Sequence, residues 1–440
     1  MIGNPPYVSL QVNTDDSKLY ASLRKVDGSP RFATYNARGD LYPLFVERGM
    51  ELLCHNGHLS YIMPNKWETV MYGQSLRQLF LDTNIKEIVD FGDYQIFESA
   101  TTYTCIVFIQ NASSSSTFAN SLVEHVNMSD LANQIASLRE TINKAKLTSD
   151  IWHLSPTIFA DALYRLDQSM ISLEEYVGGE SYYGIKTGFS SAFNISIEKA
   201  EELRNRDVRS SEIIRPFLQG RGLVAYGEAV AGSYLVFMPK GFTLEHMGLD
   251  TLPPEEEAWQ WIKDNYPAVA EHLLPFAEKG QKRTDKGDYW WELRACSYYD
   301  RFSMPKLFYQ AFQTKPCFVY DGSGTMCNNS MFFLSVPDKS LLALLCSKLG
   351  WRLIKDFCPR IQNGRQLIWD NFKRIPVPRQ LPTELAEHAE QMISLKAQNA
   401  DTTVLENEID FMVYKLYGLT YDEVLVVDPE TPITREQYDA

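Results

Sequence analysis

The residues best suited to chemistry stand at the start of the chain, in Met1-Ile2-Gly3-Asn4-Pro5-Pro6-Tyr7. An exocyclic amine on a nucleobase is a weak nucleophile, because its lone pair is delocalised into the ring. Two acceptors placed on its two N–H bonds favour a more tetrahedral nitrogen and turn the lone pair toward an electrophile. Asn4 brings one acceptor, its side-chain carbonyl. A backbone carbonyl can supply the other, and Pro5 and Pro6 restrict the local backbone while adding no competing N–H. Tyr7 offers a flat face on which a base lifted out of a duplex can stack. The same four residues also read as a Pro-rich turn, since Asn-Pro and Pro-Pro are common punctuation.

Elements able to position such a motif follow it. Residues 31–40 read as a loop. Leu41 to Cys54 has apolar residues at helical spacing and predicts an amphipathic helix. Asn56-Gly57 marks a turn, and Leu59 to Met63 a buried strand ended by Pro64. Gly73 to Leu81 reads as a helix, Ile85 to Phe91 as a strand, and Thr102 to Gln110, rich in β-branched and aromatic residues, as another. This alternation predicts an α/β sheet closed by a hairpin. Asn111 to Thr117 reads as a Ser-rich linker, followed by helices over 129–145 and 155–166. Helices are expected again over 383–398 and 404–417. In the second, Leu405, Ile409, Met412, Val413, Leu416 and Tyr417 form a buried stripe that stops at Gly418.

Composition narrows the class. The chain has 440 residues, enough for two or three domains with separate cores. No apolar run is long enough to span a bilayer and no signal peptide opens the chain, so a soluble cytoplasmic protein is expected. Seven cysteines without a CxxC pair argue against a disulfide framework and a zinc site, and for buried thiols. The net charge of −14 is unfavourable for nucleic acid as a sum, but it is unevenly placed. Residues 381–440 hold 13 acids against 3 bases, whereas residues 351–380 hold 7 bases against 2 acids. Local patches rather than the total set phosphate contact. The acidic end is expected to stay in solvent.

The motif Asn4-Pro5-Pro6-Tyr7 resembles that of amino-methyltransferases acting on adenine N6 in DNA. Asp40-Leu41-Tyr42, residues 56–67 and Asp90-Phe91-Gly92 with Ile96-Phe97 resemble later segments of that family. The resemblance extends through Tyr183-Gly184-Ile185-Lys186-Thr187-Gly188-Phe189, residues 212–221, Lys282 to Gly287, Trp290 to Arg294 and Ile375 to Pro378. These blocks, in this order, are similar to the C-terminal part of TaqI-like and bifunctional (type IIG) enzymes of restriction–modification systems. The resemblance implies the second half of a Rossmann-like methyltransferase sheet over residues 1–115 and a linker with helices over 116–170. A mixed α+β target-recognition domain over 171–380 and a helical segment over 381–440 complete it. It implies S-adenosylmethionine as cofactor, with the Gly-rich cofactor-binding half expected upstream of Met1, so that the chain reads as a fragment beginning in mid-domain and inactive by itself. It further implies that Asn4 and the Pro5 carbonyl accept the amino hydrogens while Tyr7 and Phe97 hold the base. Partners would be double-stranded DNA and an N-terminal portion or separate subunit; no membrane or metal is implied.

Gly-flanked loops rich in side chains that bond to bases and phosphates are candidate DNA contacts: Lys186 and Thr187; Arg221; Lys282 and Arg283; and Asn363, Arg365 and Gln366. Each also reads as a solvated turn. The aromatic run Tyr289-Trp290-Trp291 reads as core rather than as a stacking platform. Two functions of different class follow: a site-specific DNA adenine-N6 methyltransferase, or a DNA-binding specificity module without catalysis. An amino-methyltransferase acting on RNA or protein is the less favoured third.

Overall fold

The computed structural model describes the chain apart from residues 93, 98–101, 124–125, 153, 155–156, 221–222 and 362; of residues 157–160 and 167–168 it describes the backbone. The chain divides into two compact units. One comprises Met1–Tyr176, Trp351–Arg379 and Tyr414–Ala440, the other Val177–Gly350 and Gln380–Val413.

The first unit is built on a six-stranded mixed sheet of β1 (Ile2–Gly3), β2 (His58–Pro64), β3 (Asn84–Asp90), β4 (Thr104–Gln110), β5 (Thr117–Leu122) and β6 (Arg139–Asn143). Its order is β1-β2-β4-β3-β5-β6. β1 lies parallel to β2, with Gly3 opposite Tyr61. β4 runs antiparallel between β2 and β3, so β2 and β3 point the same way. Strand alternation sends Leu59, Tyr61, Met63, Cys105, Val107 and Ile109 into one core, while Val89, Phe91 and Val123 begin a second cluster with Ile106 and Phe108. Of the helices α1 (Thr14–Ser22), α2 (Tyr42–Glu51) and α3 (Gln74–Leu81), α2 starts on Pro43 and buries Tyr42, Leu44 and Val46. It approaches β2 so closely that a Cβ on Gly49 would lie 2.5 Å from Leu59 Cδ1. α1, with little apolar periodicity and only Ser17 buried, gave no signal in the sequence.

The α/β alternation up to residue 110 is as expected; beyond it the structure differs. Residues 111–116 form a short turn, and β5 rejoins the sheet parallel to β3 with Phe118 buried. The helix expected over 129–145 ends at Ser137, and Arg139–Asn143 pairs antiparallel with β5. Thr141 and Ile142 are β-branched, and burying Ile142 against the sheet outweighs a helical pattern that buries nothing. The two units divide the chain after Tyr176, Gly350, Arg379 and Val413. The acidic end does not lie free. Tyr421–Val427 and Arg435–Asp439 are helices opened by capping boxes at Thr420 and Thr434. Val424 and Tyr438 are buried, and Glu423 accepts from Arg165 at 3.0 Å.

The second unit holds two four-stranded sheets. One orders Met326–Cys327, Ile214–Leu218, Ser233–Val236 and Asn194–Ile195; the other orders Phe318–Asp321, Lys306–Gln310, Met331–Leu334 and Ser181–Tyr183. Helix Lys339–Cys346, almost wholly apolar and buried, packs on Thr383–Ala397. Tyr289, Trp290 and Trp291 are core, with Tyr289 stacked on Trp291 at 4.7 Å. The seven cysteines are free thiols, four of them buried. Among the described residues no helix is long and apolar enough to cross a membrane.

Lys306 is fully buried. Its ammonium donates to Asp321 at 2.6 Å and to the Phe302 carbonyl at 2.7 Å. Asp321 also accepts from the Ser323 hydroxyl at 2.6 Å and the Thr325 N–H at 3.0 Å. Removing one member leaves a buried uncompensated charge. Lys306→Met should therefore cost about 3–5 kcal/mol in urea unfolding, and adding Asp321→Leu should recover part of that loss.

Candidate active site

β1, β2 and β3 run in the same direction, so their carboxyl ends share one edge of the sheet. That edge is where open α/β sheets leave a crevice, because the chain turns away there and exposes backbone groups. β1 delivers Asn4-Pro5-Pro6-Tyr7, β2 delivers Asn65 to Glu68, and β3 delivers Asp90 to Gly92, with Tyr94 to Phe97 beyond.

The motif is fastened from beneath. Pro5 is buried, and Tyr7, half-buried against the β2 core, donates its phenol to the Ile62 carbonyl at 3.1 Å. Burial, with a smaller contribution from the Cys105 thiol, pushes the Tyr7 hydroxyl up to about 12, so it remains a neutral donor. Behind Tyr7, the Leu41 N–H donates to the Val8 carbonyl and the Leu10 N–H to the Gly39 carbonyl, each at 2.9 Å. Between them Asp40 is buried, ion-paired with Lys66 at 2.7 Å and bonded by the Tyr72 phenol at 3.1 Å. Asn4 itself is exposed, and among the described residues no hydrogen bond occupies its side chain. The carboxamide thus stands on a backbone held by its neighbours. Phe97 is half-exposed in the loop after β3, its carbonyl accepting from the Gln95 amide at 3.0 Å.

Residues that the sequence reading did not single out hold the remaining strand ends. The Asn65 amide donates to Asp90 Oδ1 at 2.7 Å and to the Gly92 carbonyl at 3.1 Å, tying β2 to β3. Asp90 Oδ1 also accepts the Gly92 N–H at 3.0 Å. Arg77, almost fully buried on α3, donates to the carbonyls of Trp67, Val70 and Ser149 and clamps the turn after β2. Burial lowers its pKa to about 10. Under this turn lies a polar cavity of about 50 Å³, room for water, lined among others by Asn65, Glu68, Asp90, Asp356 and Arg360. Among the described residues Glu68 Oε1 is buried there without a hydrogen-bond partner. Burial and the Asp90 charge raise the Glu68 carboxyl well above its usual range, against opposing pulls from Arg360 and Arg77. The available signal for these positions was their place: polar residues immediately beyond strands that end at Pro64 and Asp90.

The candidate DNA-contact residues are divided between the two units. Lys186, Thr187, Lys282 and Arg283 belong to the second unit, and Asn363, Arg365 and Gln366 to the first. Arg221 lies outside the described residues. Lys186 and Lys282 are exposed, the latter bonded to Glu278 at 2.6 Å. Asn363 is exposed at the tip of the hairpin between Arg360–Ile361 and Gly364–Gln366, and Gln366 is half-buried beside it. Thr187, Arg283 and Arg365 are instead turned inward. Thr187 shares a hydrogen bond with Ser190 at 3.1 Å. Arg283 donates to the carbonyls of Thr187 and Glu292 and lies 5.0 Å from the Phe193 ring, and burial lowers its pKa. Arg365 is buried and donates to the Lys355 carbonyl at 3.1 Å. These two guanidiniums hold loops in place, because a buried carbonyl needs a donor and arginine reaches it with several.

Residues 1–97, which carry this site, match the Eco57I restriction-modification methylase family model. The chain is 29% identical over 160 residues to the type II restriction enzyme and methyltransferase RM.Eco57I of Escherichia coli, a match covering 36% of this chain and 15% of that protein. It is 22% identical to the type II methyltransferase M.PaeR7I of Pseudomonas aeruginosa over 96% of this chain and 71% of the relative. Among solved structures, the type IIL restriction-modification enzyme MmeI, determined in complex with DNA, superposes with a TM-score of 0.56. At 10% identity that superposition shows a shared fold; it covers 98% of this chain and 56% of the MmeI chain. The resemblance to restriction–modification methyltransferases read from the motif blocks is borne out by these matches.

The raised Glu68 carboxyl has a consequence for stability. A group whose acid form is favoured by folding keeps its proton in the native state while the unfolded chain has lost it, so stability falls as pH rises above the unfolded value. Urea unfolding at pH 5.5 and 7.5 should show the wild type losing stability relative to Glu68→Gln, with a slope of up to about 1.4 kcal/mol per pH unit.

Proposed function

We propose that this chain supplies the base-handling and DNA-contacting part of a DNA adenine-N6 methyltransferase of a restriction–modification system. The observation that carries the proposal is Asn4: an exposed, unengaged carboxamide at the carboxyl end of β1, on a motif anchored by Pro5, Tyr7 and the 39–41 loop. The strand arrangement supports it. A short parallel pair, β1 and β2, followed by a hairpin whose second strand inserts antiparallel beside β2, is what the second half of a Rossmann-like methyltransferase sheet would present. The family match over residues 1–97 and the fold shared with MmeI, solved bound to DNA, point the same way.

In this reading an adenine leaves the duplex and enters at the carboxyl edge. The Asn4 carbonyl and the Pro5 carbonyl each accept one N6 hydrogen, which localises the lone pair on nitrogen. Tyr7 and Phe97 hold the ring, the former with its phenol already fixed on Ile62. The contribution of these residues is positioning, since a nucleophile held in line with its electrophile needs no covalent help from the protein. S-adenosylmethionine is the methyl donor that the resemblance implies. The glycines of β1 and of the loop after β3 are not placed to cradle it. Gly92 has its N–H committed to Asp90, and a Cβ on Gly3 would stand 2.9 Å from the Tyr61 ring, so both glycines serve packing. The same fact favours the second reading, a DNA-binding specificity module without catalysis.

Two measurements separate the readings. Methyl transfer from labelled S-adenosylmethionine to duplex DNA, measured in a full-length protein that joins this chain to a cofactor-binding portion, should fall about a hundredfold in Asn4→Ala, with DNA affinity little changed; normal transfer by that variant would end the assignment of the motif. In calorimetric titration of the 440-residue chain with S-adenosylmethionine, the specificity-module reading expects no heat of binding, and tight binding would remove it.

A further inference from the structure

The second unit contains a cleft that the reading above leaves unused. Its volume is about 310 Å³, at the lower end of the range of small-molecule sites. One wall is the continuous segment Tyr183-Gly184-Ile185-Lys186, the motif singled out in the sequence for its resemblance. The other side carries Arg294, Tyr298 and Tyr299, with Asn329 at the margin.

The segment Tyr183–Lys186 is locked to its neighbour. The Gly184 N–H donates to the Met331 carbonyl at 2.9 Å and the Ile185 N–H to the Cys327 carbonyl at 2.6 Å. A Cβ on Gly184 would lie 1.9 Å from the Asn328 carbonyl oxygen, so only glycine permits this approach. The wall is therefore preformed. Its aromatic groups are held by ring contacts: Tyr183 with Phe332 at 4.4 Å, and Tyr298 with Tyr182 at 5.1 Å. Tyr183, on the edge strand of the sheet, nevertheless stays 57% exposed, so its ring is accessible. The Tyr299 phenol donates to the Arg294 carbonyl at 2.9 Å, fixing the backbone that bears the guanidinium.

Two cations stand at this cleft. Lys186 lies 3.9 Å and Arg294 3.7 Å from the same carboxylate, Asp285, and both side chains are substantially exposed. One carboxylate cannot neutralise both, and such loose, solvated pairs are weak. Two cations against one carboxylate, beside aromatic rings and the exposed Asn329 amide, are the chemistry that takes a nucleotide: rings stack on the base, cations meet the phosphate, and the amide can bond a base edge.

We propose that the cleft between Tyr183–Lys186 and the Arg294–Tyr299 segment binds a single nucleotide. This deepens the DNA reading of the chain and rests on it for the case in which the nucleotide belongs to a DNA strand; the same chemistry would accept a free mononucleotide. The test uses the full 440-residue chain. Equilibrium dialysis with the four deoxynucleoside 5′-monophosphates and the corresponding nucleosides is run on wild type, Tyr183→Ala and Arg294→Glu, with thermal melts confirming that the variants fold. Tyr183→Ala should weaken both ligand classes about tenfold through lost stacking, whereas Arg294→Glu should weaken only the monophosphates. A labelled duplex with one unpaired nucleotide is compared with its fully paired counterpart. Tighter binding of the unpaired form, lost in Tyr183→Ala, assigns the nucleotide to DNA; monophosphate binding with equal duplex affinities assigns it to a free ligand. The proposal is overturned if monophosphates and the unpaired duplex gain nothing over nucleosides and the paired duplex, or bind wild type and both folded variants alike. If the paired duplex still binds in that case, the cleft alone is misassigned; if the paired duplex does not bind the wild type at all, the DNA reading fails separately.

Discussion

The hydrogen bonds from the Asn65 amide to Asp90 and to the Gly92 carbonyl join the carboxyl ends of two strands that are not neighbours in the sheet. A buried amide and a buried carboxylate each carry a desolvation penalty that only a partner removes. Each is the other's partner, so the loops after β2 and β3 take a shared conformation rather than independent ones. Arg77 extends the same logic by supplying donors to three carbonyls of the surrounding turns. The result is a rigid edge on which a short, otherwise weak strand, β1, ends at a fixed place. The motif after it inherits that rigidity through the Tyr7 phenol and the 39–41 loop.

This arrangement separates two tasks along a few residues. Pro5 and Tyr7 are fastened, and Asn4 is presented. In the proposed reading Asn4 accepts from a substrate; such an acceptor cannot be spent on the protein, yet its backbone must not drift, and anchoring the neighbours satisfies both demands. The buried Glu68 nearby shows the cost of a polar edge. Its carboxyl sits in a small polar cavity beside Asp90 and is driven toward its neutral form. Strain of this kind is commoner near functional sites than in ordinary cores.

Local pattern carried much of the first 110 residues. Period-two alternation in β2 and β4 and the helical spacing of Tyr42, Leu44 and Val46 needed no tertiary information, because burial of one face dictates them. The core role of Trp290 and Trp291 was legible for the same reason. The pattern failed where a short segment had two compatible partners. Residues 139–143 have both helical and strand character, and pairing with β5 decided between them. The acidic end was misjudged because net charge says little about a few apolar side chains, here Val424 and Tyr438, that suffice to pin two capped turns.

What the sequence by itself determined is the chemistry on offer: a carboxamide and an aromatic ring separated by two restricting prolines, and loops rich in arginine, lysine and amides. Identity and spacing along the chain suffice for that, because those properties are intrinsic to the residues. Tertiary structure alone decided which groups are presented and which are consumed. Lys186 and Asn363 reach solvent, whereas Arg283 and Arg365, in loops of similar composition, turn inward to backbone carbonyls. The difference lies in desolvation: a guanidinium turns inward where distant segments leave buried carbonyls without donors, and which carbonyls those are depends on how the whole chain folds.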